Sequence, residues 1–278
     1  MRSAPLPQAL RERKEGRALL WLGSALFFGF ALLPLVALMG AAIPGRPLRY
    51  LADPMLQQAL RISAITSLIA TTLVVVTGLP VAYLLARYRF RGREVLDTLI
   101  DLPMTLPPVV AGVALLLAFG RAGWVGQHVD GMLDALFHRD VHIPLSTTAV
   151  VLAQAFMAAP FFIRSARAGF ETVPLQLEHA AMTLGRNRWG VFWAVTVPLA
   201  APALLAGVVL AWARALSEFG ATLMFAGSLP GVTQTLPLAV MGAMEIDLDL
   251  AIALSVLSLV LAFGALIGAK LVVRQWRL

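Results

Sequence analysis

Apolar residues run through this chain in six long blocks: Leu19–Ala42, Ala59–Ala86, Val95–Phe119, Ser146–Ile163, Leu199–Phe219 and Leu250–Val273. A helix needs about 20 apolar residues to cross the hydrocarbon core of a bilayer, and each block meets or approaches that length. Lipid offers no partner to an exposed N–H or C=O, so a spanning segment is a helix or part of a closed barrel. Barrel strands are short and alternate apolar with polar positions. These runs are continuous, and they predict an all-α polytopic membrane protein with six transmembrane helices. The third block contains Asp97 and Asp101, so its apolar core starts near Leu102. The first block ends in Gly40-Ala41-Ala42, a faint match to a signal-peptidase site. It is longer than the roughly 7–15 residues of a signal h-region and is read as a retained span.

Composition agrees: 59% of residues are apolar, 13% are charged and mean hydropathy is +0.83, against about a quarter charged in soluble domains. The net charge of +7 could suggest nucleic acid, but the placement of the charges argues otherwise. With the N-terminus inside, 16 Lys and Arg fall on inner segments and 5 on outer ones, leaving Arg214 in the fifth block. Basic residues stay on the cytoplasmic side, so both termini are predicted to be cytoplasmic and the arginines to face anionic lipid. With no cysteine in the chain, disulfides, thiolate nucleophiles and cysteine metal sites are excluded.

The outer segment Arg121 to Pro144 repeats Val129, Met132, Leu133, Leu136 and Phe137 at the spacing of an interfacial amphipathic helix. It also carries His128, Asp134, His138 and His142. Three of these would share a helical face, but Pro144 and the lack of a further ligand favour polar residues facing water, and no metal site is expected. The first outer segment, Pro44 to Pro54, reads as a short Pro/Gly loop. After a turn at Gly227, Pro230 and Gly231, the run Leu236 to Met244 is too short to cross and suggests a re-entrant or interfacial helix. Asp247 or Asp249 is placed to cap the last helix. Gly264 and Gly268 would permit close helix packing.

The longest inner connection, about residues 169–198, is patterned. Glu178 to Leu184 reads as a helix that Gly185 can end, and Arg186 to Val197 leads to Pro198 at the fifth span. Two short helices broken by a glycine make a compact knob, with Ala180 and Ala181 small enough for another surface to approach. By composition alone an amphipathic linker lying on lipid fits as well.

This segment resembles the EAA loop of ABC-transporter permeases: Glu-Ala-Ala, three residues, Gly, nine residues, then Ile-x-Leu-Pro. Ala180, Ala181, Gly185, Val195, Val197 and Pro198 hold the matching positions. The motif's Glu is replaced by His179; Glu178 stands just before it, about 100° away around the helix. A second stretch, Ala213 to Gly227 followed by Gln234-Thr235-Leu236-Pro237-Leu238, is similar to the molybdate branch of that family. So is Leu102-Pro103 to Gly112, ending in Phe119-Gly120-Arg121.

The resemblance implies a type I importer-like permease: a basic cytoplasmic N-terminus over residues 1–18, then a transmembrane permease domain over 19–278. It implies a homodimer in the bacterial cytoplasmic membrane, with ABC ATPase subunits docking on the loop through Glu178, His179, Ala180, Ala181, Gly185 and Pro198. An extracytoplasmic binding protein would deliver the oxyanion. The chain would bind no cofactor itself, ATP and Mg being held by the partner. No Walker motif occurs in the sequence, so the chain is expected to be a transport subunit and not an enzyme. Candidates for the translocation path are Arg214, Ser217, Glu218, Thr222, Pro107 and Pro108. Arg214 and Glu218, four residues apart, can also neutralise each other on one helix face. Pro103, Pro107 and Pro108 break the third span, as a packing kink or as a hinge. Sulfate, tungstate or another small solute is the alternative cargo; a stand-alone secondary transporter or channel is the alternative class.

Overall fold

The computed structural model describes residues 8–45, 47–120, 123–127 and 143–275. The amphipathic repeat from Val129 to Phe137 and the residues His128, Asp134, His138 and His142 lie outside them. Helix α1 (Gln8–Gly45) is followed by a 3-10 turn (Pro47–Ala52), α2 (Pro54–Arg87), α3 (Arg93–Thr105), α4 (Pro108–Phe119) and α5 (Thr147–Thr172). Then come two short helices, α6 (Leu175–Thr183) and α7 (Arg188–Val191), a π-helical turn (Phe192–Thr196) and α8 (Val197–Leu216). The chain continues through α9 (Gly220–Ala226), α10 (Leu236–Ile246) and α11 (Leu248–Gln275). Among the described residues there is no strand.

Among the described residues, five helical stretches are long and apolar enough to cross a membrane: Leu20–Ala42, Pro54–Arg87, Thr147–Thr172, Arg188–Leu216 and Leu248–Gly268. The expected third crossing, Val95–Phe119, is not one helix. It is the pair α3 and α4, bent by 116°. The cause is local. A residue before proline is pushed out of the helical region, and both Leu106 (ψ 138) and Pro107 (ψ 132) precede a proline and are extended. Counted as one broken span, the pair makes six. The expected loop from Pro44 to Pro54 is mostly helical, with α1 running to Gly45 before the 3-10 turn.

Side-chain caps fix the helix starts, as apolar sequences cannot. Asp53 Oδ1 accepts from the Met55 and Leu56 amides at 2.8 and 3.4 Å to start α2. Ser146 Oγ accepts from Ala149 to start α5. Asp247 Oδ1 accepts from Asp249 and Leu250 at 2.9 and 3.2 Å, so Asp247 caps the last helix as expected.

Helix α5 is the centre of the molecule, packed between α2 and α8. Its inner positions alternate small residues with bulky ones: Ala158, Ala166 and Gly169 with Phe162 and Phe170, all buried. Small residues let helices approach closely where lipid gives no hydrophobic drive to associate. Hydrogen bonds then tie the helices: Ser165 donates to the Ala203 carbonyl at 2.8 Å, and Trp212 Nε1 donates to Ser67 at 3.0 Å. Helix α10 buries Leu236, Leu238, Ala239 and Ala243 against α11 and α2, so the short run does not cross. Helix α1 meets α11 and otherwise shows bulky residues such as Trp21 and Phe30 outward, fit for lipid or another chain. No neighbouring atom lies within 4 Å of a Cβ built on Gly264 or Gly268, so the expected close packing there is not made within the chain.

Candidate coupling loop and translocation path

The inner loop begins where α5 ends. Val173 and Pro174 are extended, and α6 starts at Leu175. The helix closes at Leu184, whose amide donates to the Ala180 carbonyl; the Gly185 amide donates to Met182 and that of Arg186 to Ala181. Gly185 has φ +89°, and a Cβ there would meet nothing within 4 Å. The glycine is required by the sign of the backbone torsion and not by crowding. Asn187 Oδ1 then caps α7 by accepting from Gly190 at 2.7 Å.

Two faces of α6 do different things. His179, Ala180, Met182 and Leu184 are exposed and Ala181 is partly buried, so the Ala180, Ala181 and Gly185 matches to the family motif lie on an accessible knob. Glu178 faces the other way. It is 7% exposed, and its Oε1 takes two donors, Arg87 Nη2 at 2.6 Å and Thr196 Oγ1 at 2.9 Å. The same Arg87 nitrogen also donates to the Val173 carbonyl at 3.0 Å. Glu178, expected at the docking surface, is therefore an internal residue: one position along a helix turns a side chain by about 100°. A shallow cavity of about 200 Å³ lies beside it, bordered by Tyr83, His179, Met182 and Arg188. Behind it Tyr83 packs edge-on to Phe192 and Phe170, with ring centroids 4.9 and 5.5 Å away.

Arg87 and Thr196 are the residues that sequence reasoning did not single out. Arg87 sat among four arginines read as facing lipid, and it meets Glu178 across 91 positions. No local spacing signals such a contact.

The residues expected to line a path gather at the other end of α8. Pro198 stands in the first turn of that helix and Arg214 in its last, about 24 Å apart at 1.5 Å per residue. Helix α8 ends at Leu216, so Glu218 lies just beyond it and not inside the span. Glu218 is 1% exposed. Its Oε2 lies 2.6 Å from Arg214 Nη2 as a close ion pair without an aligned hydrogen bond, and its Oε1 accepts from the Ala221 amide at 2.9 Å. The acid thus neutralises Arg214 and caps α9 at once. Ser217 is exposed and donates to the Arg214 carbonyl at 3.2 Å. Thr222 is buried, and its hydroxyl has no partner among the described residues.

The bend between α3 and α4 belongs to the same place. A Cβ on Gly220 would lie 2.8 Å from Pro108 Cβ, and one on Gly112 would lie 2.7 Å from the Ala221 carbonyl oxygen. These two glycines let α4 and α9 touch backbone to backbone. Pro108 is thereby set against the turn that holds Glu218, and both it and Pro107 remain exposed. Along α3, Asp101 pairs with Arg164, and Asp97 with Arg167 at 2.6 Å. The two acids of the third block thus tie α3 to α5, as does Arg93 with Glu171 at 3.9 Å.

Residues 78–278 match the family model of the binding-protein-dependent transport system inner membrane component. The molybdenum transport system permease protein ModB of Mycobacterium tuberculosis is 43% identical over 239 residues, covering 86% of this chain and 88% of that protein. The sulfate transport system permease protein CysW of Synechococcus elongatus is 39% identical over 193 residues, 69% of this chain and 65% of that protein. In fold, the chain is similar to a chain of a bacterial ABC transporter involved in the import of the acidic polysaccharide alginate. The TM-score is 0.72 at 15% identity, over 97% of this chain and 99% of that one. Six crossings with a broken third, and an exposed helix–glycine–helix knob ahead of the fifth, thus occur in a chain whose sequence matches that family through most of its length. The chain belongs to the binding-protein-dependent transport system inner membrane components, the permease subunits of ABC importers.

Proposed function

We propose that this chain is the membrane-spanning subunit of an importer for molybdate in the bacterial cytoplasmic membrane. It works as a homodimer, energised by a separate ATPase subunit that docks on the α6–α7 knob. The observation that carries the docking assignment is the presentation of that knob. Ala180, Gly185 and Pro198 are accessible at the family's spacing, while the acid beside them is turned inward. ATP and Mg belong to the partner, and this chain contributes no catalytic residue. A binding protein delivers the oxyanion from the outer side. The molybdate assignment is supported by the 43% identity to the mycobacterial permease over most of both chains. Sulfate is the second reading, because a sulfate permease is 39% identical over 69% of this chain.

The Arg214–Glu218 pair, Ser217, Thr222 and the Pro107–Pro108 bend form the side of the path on this proposal, with the bend moving as a rigid segment during alternating access. The test is copurification of the tagged permease in mild detergent, followed by reconstitution with its partners and uptake of radiolabelled molybdate and sulfate. A stoichiometric ATPase subunit, lost when Ala181 is replaced by Trp, is expected, as is molybdate uptake resisting a hundredfold excess of sulfate. A permease that purifies alone after crosslinking refutes the docking assignment. Preferential sulfate uptake replaces the cargo.

A further inference from the structure

The contact between Arg87, Glu178 and Thr196 joins parts of the chain that are distant in sequence, and its position matters for how motion passes through the molecule. The covalent route from α6 to α8 runs through Gly185, in the left-handed region at φ +89°, and then through a π-helical turn over Phe192–Thr196. Glycine in that region resists bending little, and a π turn is a widened, irregular stretch of helix that often accompanies function. A push on α6 delivered along this backbone would be absorbed there. The side-chain route bypasses both. Glu178 Oε1 holds Thr196, the last residue of the π turn, at 2.9 Å and Arg87, the last residue of α2, at 2.6 Å. Arg87 in turn holds the Val173 carbonyl at the end of α5, at 3.0 Å. The carboxylate of the short helix thus bonds directly to the end of α2 and to the turn that opens α8, and reaches the end of α5 through Arg87.

Burial makes the link stiff. The Arg87 and Glu178 side chains are each 9% exposed, and Thr196 is fully buried. A charge pair withdrawn from water is screened little and cannot exchange its partners for solvent, unlike the exposed pair of Arg164 and Asp101 farther along the same end.

We infer that Arg87, Glu178 and Thr196 form a positioning strut that converts displacement of α6 into concerted movement of α2 and α8. Glu178 is then a transmission residue and not a docking residue. The inference rests on the reading of α6 as the helix that receives the ATPase.

The experiment uses the complete transporter in proteoliposomes and reads two quantities: ATPase subunit copurified per permease, and oxyanion imported per ATP hydrolysed. A residue that only shapes the docking surface changes the first. The strut changes the second. Glu178→Gln is expected to keep its ATPase subunit and to lower the import-per-ATP ratio about tenfold, within the ordinary range of coupling between sites. The swapped pair Arg87→Glu with Glu178→Arg is expected to recover a substantial part of that loss. An unchanged ratio in Glu178→Gln overturns the strut, as does a loss fully accounted for by missing ATPase that the swap does not repair. If Glu178→Gln fails to accumulate in membranes, Thr196→Val carries the test. It removes one hydrogen bond and no charge, and about a threefold fall in the ratio is expected; no fall overturns the proposal. Wild-type permease with no ATPase bound refutes the docking reading instead, so the two failures are distinguishable.

Discussion

A guanidinium and a carboxylate one helical turn apart meet where α8 gives way to α9, and only one of them reaches solvent. Arg214 keeps a quarter of its side chain accessible, whereas Glu218 is 1% exposed. Removing one member of a buried pair leaves an uncompensated charge, at a cost of about 3–5 kcal/mol. Arg214→Gln is therefore expected to deplete the permease from the membrane, and Arg214→Gln with Glu218→Gln to restore it, as immunoblots of membrane fractions would read. Normal abundance of the single variant would show that the pair is not structural. This contact was legible in the sequence because four residues on a helix is one turn. The contact of Glu178 was not. The match to the family motif draws attention to the outer face of α6, and the partner that decides which way Glu178 points lies 91 residues earlier.

At the scale of elements, hydropathy located each candidate crossing among the described residues but not its shape. A window average sees Val95–Phe119 as one apolar block, because prolines scarcely alter hydropathy while they disfavour helical torsions in the residues before them. The result is two helices at 116°, and the bend is held by the contact of α4 with α9. A Cβ on Gly112 would lie 2.7 Å from both the Ala221 carbonyl oxygen and Met224 Cβ. Backbone atoms cannot step aside as a flexible side-chain end can. Gly112→Val is expected to force the two helices apart and destabilise the permease by about 1–3 kcal/mol. Thermal unfolding in detergent measures this, and an unchanged Tm would mean that the contact is dispensable. Caps show the same division. Asp247 was legible as a cap because it sits beside an apolar run, whereas the π turn before α8 has no sequence signature and widens an otherwise ordinary helix start.

For the whole molecule, the charge asymmetry gave the orientation that side-selective labelling can check. The chain has no cysteine, so single cysteines can be introduced without a background to remove. Leu184→Cys stands on the exposed knob at 86% exposure, and Pro230→Cys on the exposed turn between α9 and α10. An impermeant maleimide is expected to label Pro230→Cys in intact cells and Leu184→Cys only in inverted vesicles, with the bound ATPase subunit shielding the second. Labelling of Leu184→Cys in intact cells and of Pro230→Cys only in inverted vesicles would reverse the topology, and labelling of both from one side would remove the crossing between them. On the proposed reading the knob separates recognition from transmission: its outer face carries His179, Ala180 and Leu184, and its inner face carries Glu178. Substitutions on the outer face can then accumulate without loosening the inner grip, so a permease of this design is free to change its motor. Grafting the outward positions of a related loop, with Arg87, Glu178 and Thr196 left in place, would retarget this subunit to a foreign ATPase while its membrane part stayed as it is.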